Sequence, residues 1–209
     1  KDDKHSKIFK NNLNLNFNLA QVYIDNNNIV KNLKGNFYIE NNKINQANIS
    51  ALFNNNERLT FTINTSSGEK VTTLFSSRAE PLVKRYNFIK GYEGGYLDFY
   101  SSKIDKLSKS KLKLYNFKLQ ELPALTKLLT LASLQGIADT LSGEGIRFDE
   151  MEMNFKNSGN TMTIDELYAI GPAISILMSG YVEQQDDLIS LRGTLVPATT
   201  INKTISSIP

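Results

Sequence analysis

AISILMSGYVEQQDDLISLRGTLVP, residues 173–197, decides the fold. Ile174, Ile176, Met178 and Val182 fall on alternate positions, with Ser175, Leu177, Ser179 and Tyr181 between them. A period of two puts the first set on one face of a β-strand and the second on the other. Gly180 interrupts the first row, since a glycine inside a strand offers no side chain to pack. The pattern resumes over residues 188–196, and Asp186-Asp187 between the two runs reads as a hairpin tip.

The same reading extends upstream. Residues 162–170 alternate with Ile164 on an apolar position. In residues 146–155, Ile146 and Phe148 share one phase while Met151, Met153 and Phe155 continue one step out of phase. A β-bulge near Glu150 would reconcile the two. Leu13, Leu15, Phe17 and Leu19 alternate with Asn14, Asn16 and Asn18, and Leu59, Phe61 and Ile63 alternate with Thr60 and Thr62. Strands are also expected over residues 36–40, 43–53, 70–75, 96–100 and 111–119. Asparagine clusters at residues 25–28, 41–42 and 54–56 supply turns, because asparagine tolerates left-handed backbone. A run of about ten residues extends about 33 Å, well beyond the usual strand of about five or six residues. Long strands with short connections predict an antiparallel meander.

Two helices are expected within it. Pro81 and Gly91 leave room for a short one over residues 79–89. A longer one is expected over residues 123–141: Pro123 suits a first helical position, and Leu125, Leu128, Leu129 and Ala132 form an i, i+3, i+4, i+7 stripe. Leu131, Leu134, Ala138 and Leu141 widen that stripe, and Ser142-Gly143 ends it. Lys127, Asp139 and the hydroxyl residues argue against a bilayer span, so the helix is read as packed on the sheet. The fold class is therefore mainly β (α+β), in a single domain over residues 1–209, with residues 1–10 expected to be disordered and the chain read as a piece of something longer.

Composition removes several classes of function. There is no cysteine and one histidine, His5, in a charged terminus beside Asp2, Asp3 and Lys4, so thiolate metal sites, disulfides and nucleophile–histidine catalysis lack their parts. Asp149, Glu150 and Glu152 lack the spaced ligands and turn glycine of a calcium loop and read as a solvated strand edge. Ser142-Gly143-Glu144-Gly145 follows a helix and precedes a strand, the reverse of a phosphate loop. A net charge of +3 over 209 residues is a weak bias. In KSKLKLYNFK, residues 109–118, Lys111 and Lys113 alternate with Leu112 and Leu114 as on the wet side of a strand, and no nucleic-acid module accompanies them. No enzyme, cofactor, metal or nucleic-acid partner is expected.

So many strands create more apolar face than one good helix can cover. Pattern alone leaves two solutions open: a closed β-sandwich, serving as a structural or adhesive module of a surface protein, or an open trough whose dry side meets a ligand. The Leu-rich segment closing on Gly143-Glu144-Gly145, the Gly171-Pro172 pair before a strand, the following Gly180 and the Gly193…Val196-Pro197 ending resemble, in order and spacing, the C-terminal region of AsmA-like proteins of the bacterial envelope. Upstream, residues 35–63 are similar to that family's repeated hairpins. A helix followed by the Gly94-Gly95 strand is similar too, although no glycine stands near Glu80-Pro81 as in many relatives. The resemblance implies a long curled antiparallel sheet forming an apolar groove that shields phospholipid acyl chains without chemistry. It also implies a periplasmic part of an inner-membrane-anchored protein, joined to the membrane by other parts of its length. The residues expected to line the groove are Leu59, Phe61, Ile63, Phe148, Met153, Phe155, Ile164, Ile174, Ile176, Met178 and Val182. Unpaired edge strands of such a piece would be open to self-association.

Overall fold

Alternation of apolar and polar residues over runs of 8 to 13 residues gives the strands of the described residues. The computed structural model describes residues 12–85, 91–120, 136, 139, 143–186 and 188–198. They form β1 Leu13–Tyr23, β2 Ile29–Glu40, β3 Lys43–Leu52, β4 Arg58–Ser66, β5 Glu69–Ser76, α1 Glu80–Arg85, β6 Tyr92–Ile104, β7 Leu107–Leu119, β8 Ile146–Ser158, β9 Thr161–Ile170, β10 Ile174–Glu183 and β11 Leu188–Pro197. The strands make one 11-stranded sheet in chain order, each antiparallel to the next. β1 and β11 are not paired with each other, so the sheet is open. No second sheet lies on it among the described residues, which corrects the sandwich expectation.

The turns set this order. Asn41 and Asn42 have φ 49° and 62°, and Ser67 and Gly68 have φ 50° and 82°. Two successive left-handed residues make the hairpin turn whose twist matches that of the strands it joins. Asp105 and Gly159, at φ 52° and 60°, open the turns at residues 105–106 and 159–160. These tight turns lie at one end of the sheet, the turn end. The longer connections, including α1, lie at the other. At that end Asp25 Oδ1 accepts the backbone N–H groups of Asn27 and Asn28, each at 2.8 Å, which fixes the first Asn-rich turn.

The expected strands are present, most of them longer than the pattern marked, and β2 reaches back to Ile29 past a left-handed Asn32 at φ 52°. Pairing of β2 with β3 shifts register there, between Lys31 and Lys34. α1 accounts for the first half of the expected short helix, and residues 86–89 lie outside the described residues. Of the expected long helix over residues 123–141, only Gly136 and Asp139 are described, both helical. Residues 1–10 also lie outside the described residues.

The core sits on one face. Val30, Ala51 and Phe53 are buried together near the first edge, with Val22, Leu33 and Leu59 against them. A larger cluster joins Ala79 and Val83 around α1 to Tyr92, Leu97, Leu114, Phe117, Ile146, Phe148, Met151, Ala169, Ile174 and Ile176. Tyr92, Phe117 and Phe148 stack in series across β6, β7 and β8 at ring-centroid distances of 5.4 Å. Their interplanar angles are 11° and 17°.

Candidate functional site

Cross-strand register converts the alternating sequence into rows that run across the sheet. Residues directly opposite each other share a face. One row is Leu59, Ser76, Leu97, Leu114, Met151, Ala169, Ile176 and Leu195. Two residues nearer the turn end comes Phe61, Leu74, Phe99, Leu112, Met153, Leu167, Met178 and Gly193. The next row is Ile63, Thr72, Ser101, Ser110, Phe155, Ile164, Gly180 and Leu191, and the last is Thr65, Lys70, Lys103, Ser108, Asn157, Met162, Val182 and Ile189.

All of the residues expected from the sequence to line a groove lie on this dry face. Phe148 and Ile174 join the rows as members of the same buried cluster as Leu114, Met151 and Ile176. The phase break read in residues 146–155 is present, but as a change of face without a register shift. Tyr115 opposes Glu150 and Phe117 opposes Phe148, while Asn116, at φ 51°, and Asp149 intervene. Gly94 and Gly95, both left-handed, match them on β6. A Cβ on Gly95 would stand 2.7 Å from Tyr92 Oη and 2.8 Å from the Tyr115 carbonyl oxygen, so the crossing needs glycine there.

Burial divides the candidates. Ile63, Phe148, Ile164, Ile174 and Ile176 are buried and act as core. Leu59, Phe61, Met153, Phe155, Met178 and Val182 are half-buried and remain available to a ligand on the dry face. Leu74, Phe99, Leu112, Leu167 and Met162, also half-buried, belong to the same surface. Alternation within a single strand does not mark them, because their shared surface follows from cross-strand register.

Toward the turn end the face changes chemistry between β4 and β7, from apolar rows to the hydroxyls Thr72, Ser101 and Ser110 and then to Lys70 and Lys103. Here lies an open depression of about 760 Å³, lined by Asn42, Lys43, Ile44, Asn45, Thr65, Gly68, Lys70, Thr72, Ser101, Lys103, Asp105 and Ser108. Burial, then the charges of Lys103 and Lys43, hold the Lys70 ammonium below its ordinary pKa. Alternation along β5 places Lys70 in phase with Thr72 and Leu74, a signal that was present in the sequence, but only the register reveals Lys103 opposite it.

The opposite face is a charged outer surface. Glu152 accepts hydrogen bonds from Lys111 Nζ at 2.7 Å, Lys113 Nζ at 3.0 Å and Asn154 Nδ2 at 2.9 Å. These bonds, led by that from Lys111, hold its carboxyl down to about 2 against the opposing effect of burial. Glu152 is thus not on a solvated strand edge: β8 is an interior strand, and this residue is 8% exposed. Lys111 and Lys113, on the wet side of β7 as the alternation implied, serve it. Among the described residues no group of acids and histidines is placed to hold a metal ion, and no helix is long and apolar enough to cross a membrane. Comparison of the chain with protein-family models, curated proteins and solved structures gives no match.

Proposed function

We propose that this chain is a non-enzymatic lipid-binding module whose dry sheet face shields phospholipid acyl chains, in the manner of the AsmA-like proteins it resembles, in the periplasmic part of an inner-membrane-anchored protein. The observation that carries this reading is a single open sheet with contiguous apolar rows on one face, including a half-buried surface from Phe61 to Val182 with no second sheet over it among the described residues. A contiguous apolar surface of this kind needs a partner. Acyl chains supply one, gaining about 0.8 kcal/mol for each CH2 removed from water. Met153, Met162 and Met178 suit chains of varied shape, because the thioether side chain is flexible and polarisable.

Native mass spectrometry of the purified chain, followed by extraction and lipid analysis, tests the reading. A co-purifying phospholipid is expected. Met178→Glu and Phe61→Glu should reduce its occupancy severalfold, because a carboxylate in an acyl path is desolvated without a partner. Leu177→Glu, on the opposite face at 51% exposure, should leave it unchanged. Absence of lipid from the parent chain, together with no uptake of a photo-crosslinkable phospholipid, would overturn the proposal.

A further inference from the structure

Lys70 and Lys103 stand directly opposite each other on β5 and β6, on the dry face. Facing residues of an antiparallel pair have Cα atoms about 4.5–5.5 Å apart, and like charges at such positions destabilise the pair. Sheets ordinarily answer a lysine with an acid across the strand, as Glu152 answers Lys113 on the other face. Here the neighbours in the row are Thr65 and Ser108, not acids. Lys43 from β3 lines the same depression, and its one acidic lining residue is Asp105. Neither Asp105 nor any of the three ammonium groups has an ion-pair or hydrogen-bond partner among the described residues. Thr65 Oγ1, at the edge of the same depression, is buried and unpartnered too. Two residues inward, Thr72 and Ser101 face each other, with Ser110 donating to Ser101 Oγ at 2.9 Å. Four residues inward, about 13 Å along the strands, begins the apolar row of Phe61, Leu74 and Phe99.

We propose that the turn end of the dry face binds a phosphate-type oxyanion between Lys70 and Lys103, with Thr72, Ser101 and Ser108 as hydroxyl donors and Lys43 as a third cation. The ligand's negative charge relieves the repulsion that the unliganded pair carries, and charge-assisted hydrogen bonds from ammonium groups are the stronger kind. The carrier of that phosphate is taken to be a phospholipid headgroup whose chains run along the adjoining apolar rows, and this part rests on the lipid reading above. The fold would then orient the lipid, headgroup toward the tight turns and chains toward the core.

The test compares the 209-residue parent with K70Q/K103Q and with K34Q/K109Q, a control that removes two lysines from the opposite face. The probes are inorganic phosphate, phosphatidylglycerol in mixed micelles, and diacylglycerol in the same micelles. K70Q/K103Q is expected to fold at least as well as the parent, since it removes a like-charged pair. Phosphate should shift the backbone amide signals of Thr72 and Ser101 in the parent and the control but not in K70Q/K103Q. Phosphatidylglycerol should bind K70Q/K103Q about tenfold or more weakly. Diacylglycerol, with chains but no phosphate, should bind all three proteins alike. If neither lipid binds but phosphate still shifts those signals through Lys70 and Lys103, the oxyanion site stands and the lipid reading falls. Absence of the phosphate shifts in the parent, or equal losses in K70Q/K103Q and K34Q/K109Q, would overturn the site.

Discussion

Two buried polar side chains have opposite fates in this sheet. The Tyr92 hydroxyl is buried in the ring stack and has no hydrogen-bond partner among the described residues. Burial and then the charge of Glu80 raise its pKa well above the ordinary phenol value. A buried hydroxyl without a partner loses its hydration and gains nothing in return, so Tyr92→Phe should stabilise the fold by about 1 kcal/mol. Denaturant midpoints check it, and a lowered midpoint would refute it. Glu152, by contrast, is fully engaged. Its carboxyl sits at about 2 in the fold against an ordinary value of 4.5, so its contribution to stability is complete above about pH 4.5 and is lost as pH falls toward about 2. Glu152→Gln should lower the midpoint at neutral pH, where Lys111 and Lys113 lose their counter-charge. The gap between parent and variant should close on acidification through that window. A gap that is independent of pH would show that the carboxylate is held by packing rather than by its charge partners.

At the scale of the element, glycine decides where strands approach most closely. A Cβ on Gly180 would stand 2.0 Å from the Ser190 carbonyl oxygen and 2.9 Å from Leu191 Cα. Gly180→Ala should therefore push β11 from β10 and destabilise the fold by about 1–3 kcal/mol. Hydrogen exchange should locate the damage: amides of β11 lose protection first, while those of β6 to β8 keep theirs. Uniform loss across the sheet would mean that β11 unfolds with the core as one unit. The sequence showed Gly180 as a gap in an apolar row, and it showed the strands and their meander, because period-two alternation and Asn-rich turns are local. Cross-strand register is not local. Glu152 could not be told from a solvated acid until β7 placed Lys113 opposite it, and Lys70, in phase with Thr72 and Leu74 along β5, shows its like-charged neighbour only once β6 places Lys103 there. The burial split between Ile176, which is buried, and Met178, two residues on along the same strand and half-buried, is equally invisible to alternation, which puts both on one face.

For the molecule as a whole, an open meander leaves two edges, and they are not equal. β1 carries Asn14, Asn16, Asn18 and Gln21 between its apolar residues, and its exposed large apolar side chains are Leu15, Leu19 and Tyr23. β11 is ten residues long, and Leu188, Ile189 and Leu191 are 50%, 63% and 46% exposed. Unpaired backbone beside exposed aliphatic side chains is a template for another strand, and edge charges are the ordinary defence against it. Charge does not separate the two edges, since β11 has Arg192 and β1 has no charged residue within its span; the amide side chains of β1 against the bare aliphatic side chains of β11 do. The isolated chain should therefore self-associate through β11 in a concentration-dependent way. Leu191→Lys, which adds a second charge beside Arg192, should return it to the monomer by analytical ultracentrifugation with little change in thermal midpoint. The matching change on the first edge, Leu19→Lys, should leave association intact. If Leu19→Lys disperses the assemblies and Leu191→Lys does not, β1 is the contact, and the amide-rich edge would be the adhesive one despite its asparagines.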